Sequence, residues 1–168
     1  VAEGAGAELL AIDAEGNLPD AAWDALNAAD AIVMGSPTYM GSVSWQFKKF
    51  ADASSKAWFT QAWKDKVFAG FTNSASLNGD KLATLHALFT LAMQHGGVWV
   101  STGMPPSNTK AAQRNDINVL GSFAGAMAHA HLGLSCVVCV VGCDDRFVAA
   151  VDCAGGATLT KSADGVWR

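Results

Sequence analysis

The chain has 168 residues, a length that suits one domain with a sizeable core. Hydrophobic residues make up 51% and charged residues 15%, which argues against disorder. A net charge of -4 without any Lys/Arg cluster leaves no electrostatic footprint for nucleic acid, and no uncharged apolar run is long enough to cross a bilayer. No secretory pattern opens the chain, so a cytoplasmic protein without membrane or nucleic-acid partners is expected. Val1 rather than Met stands first, so the natural start is expected upstream.

Short apolar runs alternate with helical segments, which predicts an α/β protein built on a parallel sheet wrapped by helices. AELLAID (7–13) reads as a strand. PDAAWDALNAADA (19–31) reads as a helix, with Asp20 and Asp24 opposing the positive end of its dipole. AIVMGS (31–36) is a continuous apolar strand of the kind buried on both faces. SWQFKKFADASSKAW (44–58) places Phe47, Phe50 and Ala51 on one helical face. KVFAGFTN (66–73) is the next strand. KLATLHALFTLAMQHGG (81–97) follows as a helix with Leu82, Leu85, Leu88, Phe89 and Ala92 on its apolar stripe and Gly96-Gly97 closing it.

VWVSTG (98–103) reads as a further strand, and 104–118 as a polar excursion whose length points to a binding or oligomer-forming role. Beyond Ala128 the periodicity fades. LGLSCVVCVVG (132–142) and FVAAVDC (147–153) read as strands, and TLTKSADGVW (158–167) as the end of a hairpin. Residues 1–168 are expected to form one domain, with 129–168 an atypical tail. Cys136, Cys139, Cys143 and Cys153 crowd this tail. The Cys136/Cys139 pair has metal-site spacing, but thiols set among valines usually serve as small apolar fillers, so no metal is expected. No acid/base dyad or nucleophilic triad can be read. His86, within the helical stripe, reads as structural, and His129 and His131 have no partner pattern.

Two strands end in small, polar loops, GSPTYMGS (35–42) and TNSASLNGD (72–80). In an open parallel sheet, ligands bind beyond the carboxyl ends of the strands, so both loops should share one edge. Gly41 and Gly79 permit close backbone approach, and free backbone N–H groups there can bond the carbonyls and ring nitrogens of a flat heteroaromatic ring. The same composition also fits ordinary βα turns.

Taken in order, PTYMGSVSWQFKKFAD, the TNSASLNGD loop, the helix ending in QHGG, VWVSTG and NDINVLGSFAGAMA (115–128) resemble the WrbA-like NAD(P)H:quinone oxidoreductases of the flavodoxin fold. The match spans roughly residues 7–128. The resemblance implies a flavodoxin-like open parallel sheet with helices on both faces and FMN held non-covalently. It implies NADH or NADPH as electron donor, a small-molecule quinone as acceptor, and a homo-oligomer, tetramer or dimer. The family's ring-binding loop falls on Pro37, Thr38, Tyr39, Met40, Gly41 and Ser42. Its second loop falls on Thr72, Asn73, Ser74, Ala75, Ser76, Leu77, Asn78 and Gly79. The family histidine that contacts FMN falls on His95, and the tryptophan lining the substrate site falls on Trp58. A lone histidine at a helix end is, by itself, more often a cap or a favourable cation.

Two departures qualify the match. Family members open with a strand and a Ser/Thr-rich loop that cradles the FMN phosphate at a helix N-terminus, and residues 1–13 contain neither. The first strand and helix are therefore expected to be missing, leaving a gap between the strands at 7–13 and 31–36 that an incomplete chain explains best. The tail lacks the family's closing helix. Two alternatives stay open: a non-catalytic flavodoxin-like module or truncated fragment unable to hold FMN, and a flavodoxin-type one-electron carrier.

Overall fold

A computed structural model describes residues 7–129, 137–143 and 146–152, with side chains for 8–129. Its strands are Ala7–Leu10 (β1), Ala31–Pro37 (β2), Val67–Ser74 (β3), Val98–Trp99 (β4), Ala126–His129 (β5), Val137–Cys143 (β6) and Arg146–Asp152 (β7). Its helices are Asp20–Ala28 (α1), Trp45–Ala53 (α2), Ser55–Phe59 (α3) and Lys81–Gln94 (α4). The sheet runs in the order β1-β7-β6-β2-β3-β4, with β5 also paired to β3.

The centre of the sheet is the parallel pair β2 and β3, in register from Ala31↔Val67 to Pro37↔Asn73. Both strands are apolar runs rich in the β-branched and aromatic residues that suit a half-buried pleat. Ile32, Met34 and Phe68 are sealed from solvent. β4 pairs with the start of β3 and β5 with its end, both parallel, so the chain leaves the sheet edge after Trp99 and returns to the same edge at Ala126. Trp99 Nε1 closes this excursion by donating to the carbonyl of Ala124 at 2.8 Å. The strand expected over 98–103 is thus two residues long, and β5 supplies the rest of that edge.

The flavodoxin-like parallel core is as expected, with one addition. β6 runs antiparallel to β2, from Ala31↔Gly142 to Val33↔Val140, and antiparallel to β7. These two strands stand between β1 and β2, where the sequence leaves a gap. The sheet is therefore mixed. Cys139 and Cys143 lie on β6; Cys136, Cys153 and the hairpin expected at 158–167 fall outside the described residues.

Three aromatic rings organise the packing of the early helices. Trp23 of α1 stacks on Phe50 of α2 at 5.3 Å, and Trp63 stacks on both, at 6.3 and 6.2 Å. Trp63, sealed from solvent, donates its Nε1 to Asn27 Oδ1 at 2.9 Å, so its one polar atom is satisfied. Leu26, Phe47 and Ile32 complete this core.

Two helical expectations are corrected. The helix over 44–58 breaks at Ser54, whose Oγ donates to the carbonyl of Ala51 at 2.7 Å, so α2 ends there and α3 begins. On α4 the buried stripe is Lys81, Thr84, Leu85, Leu88, Leu91 and Ala92, whereas Leu82 and Phe89 face outward. α4 closes as expected: Gly96 adopts φ 71°, Gly96 N–H bonds the carbonyl of Met93 at 3.0 Å, and Gly97 N–H bonds that of Ala92 at 3.0 Å. A side chain at Gly97 would collide with the Phe68 ring at 2.2 Å, which explains the second glycine.

Candidate functional site

Because β2 and β3 are parallel and in register, the loops that follow them start side by side, with Pro37 opposite Asn73. Thr38 N–H bonds the carbonyl of Asn73 at 2.9 Å and carries that pairing one residue beyond the strand. Beneath it lies a buried hydroxyl cluster. Thr38 Oγ1 is 2.8 Å from Thr72 Oγ1 and 2.7 Å from Thr84 Oγ1, so one side chain joins both loops and α4. The hydroxyls of Thr38 and Thr72 are thus spent inside the protein. Neither hydroxyl is left for a ligand at this edge.

The first loop folds around a tight turn. Tyr39 N–H bonds the carbonyl of Ser42 at 2.9 Å and Ser42 N–H returns to that of Tyr39 at 3.1 Å. Met40 and Gly41 between them adopt φ 47° and 77°, the left-handed pair of a type I′ turn. Met40 is fully exposed at the tip. The N–H groups of Met40 and Gly41 make no hydrogen bond among the described residues. Ser36 Oγ anchors the loop from below, accepting from Ser44 N–H at 2.9 Å and donating to the carbonyl of Pro37 at 2.9 Å. Ser44 then caps α2 by accepting from Phe47 N–H. Tyr39, Ser42, Val43, Trp45, Lys48, Lys49 and Asp52 line an open groove beside this turn.

The second loop is held by its carbonyls. Lys81, sealed from solvent, points its ammonium at the carbonyls of Ser76, Leu77 and Asn78, at 2.5, 3.1 and 3.3 Å. These three acceptors match the three donors of an ammonium, and burial pushes Lys81 below the usual lysine range. The carbonyl of Ala75 accepts from His129 Nε2 at 2.8 Å, and Arg114 Nη2 lies 2.7 Å from His129 Nδ1. A carbonyl oxygen only accepts, so the proton sits on Nε2. The excursion and β5 are thereby tied to this loop.

Trp58 and His95 lie elsewhere. Both loops sit at the start of α4, and His95 caps its other end, about 21 Å away at 1.5 Å per residue. There His95 is buried against Trp63, with ring centroids 4.4 Å apart, and its Nε2 is 2.9 Å from Ser54 Oγ. The Ser54 hydroxyl donates to Ala51, so His95 Nε2 is the donor in this bond. Burial lowers the His95 pKa to about 4, which leaves the ring neutral at neutral pH. Trp58, on α3 one turn beyond Ser54, is 42% exposed and packs edge-to-face on Phe59 at 4.9 Å. Within one chain, then, the two loops converge, while His95 and Trp58 share the region of Ser54.

Thr84, Lys81, Ser36, His129 and Arg114 are the residues that sequence reasoning missed. The spacing of 81, 84, 85 and 88 carried a signal, because it is a helical stripe. It begins with lysine, however, and a reading by hydrophobicity turns lysine outward. Among the described residues no cluster of His, Cys, Asp or Glu could hold a metal ion, and no helix is long and apolar enough to cross a membrane.

The donor set fits a flat heteroaromatic ring. Two adjacent loops offer unbonded N–H groups, at Met40 and Gly41 in one and from Ser76 to Gly79 in the other, with no carboxylate among the residues that carry them. The space above Gly41 is open, with no atom within 4 Å of where a Cβ would sit. FMN presents carbonyls and ring nitrogens of the kind such donors bind. The chain belongs to the NADPH-dependent FMN reductase family, whose model matches residues 13–112. It is 64% identical to Flavodoxin FldP of Pseudomonas aeruginosa over 126 residues, covering 75% of this chain and 68% of that protein. It is 35% identical to an NAD(P)H dehydrogenase (quinone) of Archaeoglobus fulgidus over 97 residues, 58% of this chain and 46% of that one. Among solved structures it resembles the flavodoxin-type, WrbA-like protein from Agrobacterium tumefaciens, at 72% identity and a TM-score of 0.53 over 54% of this chain and 58% of that one. The chain thus spans about two-thirds of the first relative and just under half of the second.

Proposed function

We propose that this chain is an FMN-dependent oxidoreductase that passes electrons from NADH or NADPH to a small-molecule quinone. The observation carrying this reading is the pair of in-register loops whose N–H groups at Met40, Gly41 and from Ser76 to Gly79 make no bond among the described residues, while the hydroxyls of Thr38 and Thr72 and the carbonyls of Ser76, Leu77 and Asn78 are engaged within the protein. When bound, FMN supplies hydride acceptance from the nicotinamide and two-electron delivery to the quinone. The chain's own part is to hold the ring's edge with Met40, Gly41 and the 76–79 donors, in a cradle made rigid by Thr38, Thr72 and Thr84. No side-chain acid or base is required of it. The family match and the likeness to NAD(P)H dehydrogenases (quinone) support the same reading.

Trp58 and His95 enter this reading through an assembly. They lie far from the loops of their own chain, so the exposed Trp58 lines a ring or quinone only where another copy offers its loops, while the buried His95 stands behind it, bonded to Ser54. The exposed Trp58 and Phe59 suit such a contact, which makes a homo-oligomer, dimer or tetramer, part of the proposal. A cytoplasmic setting belongs to it as well.

The likeness to Flavodoxin FldP favours a second reading, a carrier exchanging single electrons with a protein partner. Anaerobic mixing of the FMN-loaded chain with NADH tests the two. Bleaching of the flavin bands by NADH alone, and their return with benzoquinone, is expected of the reductase. Bands that stay unchanged until a separate reductase is added are expected of the carrier.

A further inference from the structure

Four successive carbonyls of the second loop are engaged by basic side chains: Ala75 by His129, and Ser76, Leu77 and Asn78 together by the buried ammonium of Lys81. All peptide bonds in the described chain are trans. In a trans peptide the carbonyl of one residue points opposite to the N–H of the next. Turning the carbonyls of Ser76, Leu77 and Asn78 toward Lys81 therefore turns the N–H groups of Leu77, Asn78 and Gly79 away from it. Those donors make no bond among the described residues. The loop is an outward fan of N–H dipoles with a cation beneath it, an arrangement that favours electron-rich ligand atoms.

A lysine in this place has no ordinary structural excuse. It is sealed from solvent, makes no ion pair with a described carboxylate, and sits where α4 buries its other stripe residues as threonine, leucine and alanine. A burial-driven choice would be leucine or methionine. What the ammonium adds is three carbonyl bonds and a positive charge. We infer that Lys81 is a positioning residue for the flavin ring: by gathering the carbonyls of residues 76–78 it aims the N–H groups of Leu77, Asn78 and Gly79 at the ring's electron-rich edge. The inference rests on the FMN reading and adds a residue to it. The fan binds the oxidised ring and, because negative charge accumulates on the pyrimidine edge when the ring is reduced, binds the reduced ring more tightly.

The test uses the full 168-residue chain and riboflavin, which carries the ring without a phosphate, alongside FMN. Riboflavin is titrated into wild type and into Lys81→Met and Lys81→Arg by fluorescence quenching, with circular dichroism as the check on folding. Wild type should bind. Lys81→Met should bind at least tenfold more weakly and shift the bound flavin's midpoint potential to more negative values, while Lys81→Arg recovers part of both. A folded Lys81→Met with wild-type affinity and potential overturns the inference and leaves the FMN reading intact. A wild type that binds neither FMN nor riboflavin overturns that reading and this inference with it. Should Lys81→Met fail to fold, the wild-type amide spectrum decides. The N–H resonances of Leu77, Asn78 and Gly79 should shift together and gain exchange protection with riboflavin, and resonances left unmoved at saturation overturn the inference.

Discussion

Thr38 and Thr84 meet hydroxyl to hydroxyl at 2.7 Å, 46 residues apart in sequence, in a buried contact that fixes the first loop to α4. Thr38 also bonds Thr72, so it is the hub of the cluster. Thr84→Val leaves the hub one partner and should cost about 1 kcal/mol of unfolding free energy. Thr38→Val strands two hydroxyls and should cost more, on the order of 1–3 kcal/mol. Urea unfolding of both variants measures this. Equal or reversed losses would mean that the hub is assigned to the wrong residue.

Acid should weaken the fold through His95. Its folded pKa of about 4 lies below the ordinary 6.5, so the unfolded chain takes up the proton first. The contribution of the neutral ring is complete above pH 6.5, falls as pH drops from 6.5 to 4, and levels off below. The full swing is on the order of 3 kcal/mol. Asp13, whose carboxylate accepts the N–H of Asn17 at 2.6 Å and is held below the usual value, acts at lower pH. Stability measured at pH 7.5 and 4.5 should differ markedly in wild type and much less in His95→Gln. Parallel pH curves for the two proteins would refute the assignment.

At Gly125 the clash is with backbone. An added Cβ would stand 2.5 Å from the carbonyl oxygen of Gly70 and 2.8 Å from Leu85 Cδ2. No rotamer relieves the first contact, so Gly125→Ala should cost about 1–3 kcal/mol and loosen β5 from β3. Hydrogen exchange at residues 126–129 should rise with it. Unchanged melting and exchange would show that β5 tolerates a shift.

Trp58→Ala separates substrate contact from folding. The ring is 42% exposed and outside the core, so stability in the isolated chain should change by no more than about 0.5 kcal/mol. If Trp58 lines the quinone slot of another copy, the KM for benzoquinone should rise severalfold while reduction of the flavin by NADH is little altered. An unchanged KM would remove Trp58 from the site.

The two loops were legible in the sequence because β2 and β3 are apolar runs that stop at small polar residues, which is how strand ends in parallel sheets look. Gly96-Gly97 was equally legible, since a left-handed cap and a close approach to Phe68 both demand glycine. Lys81 was not, because its burial depends on three carbonyls folding back over it, an arrangement no hydrophobic scale encodes. Leu82 and Phe89 were misphased for the same reason: the true stripe starts one residue earlier, on that lysine. His95 kept its place in the motif, but its distance from the loops follows from the length of α4 rather than from any local pattern. The pairing of β5 with β3, across an excursion of more than 20 residues, is a long-range contact that short-range periodicity cannot reveal.

The central claim, that the two loops hold FMN, is tested most directly by the visible absorbance spectrum of the 168-residue chain after FMN is added and the excess is removed by gel filtration. Retained, shifted flavin bands that bleach with NADH and return with benzoquinone are the predicted result. Colourless protein would contradict it.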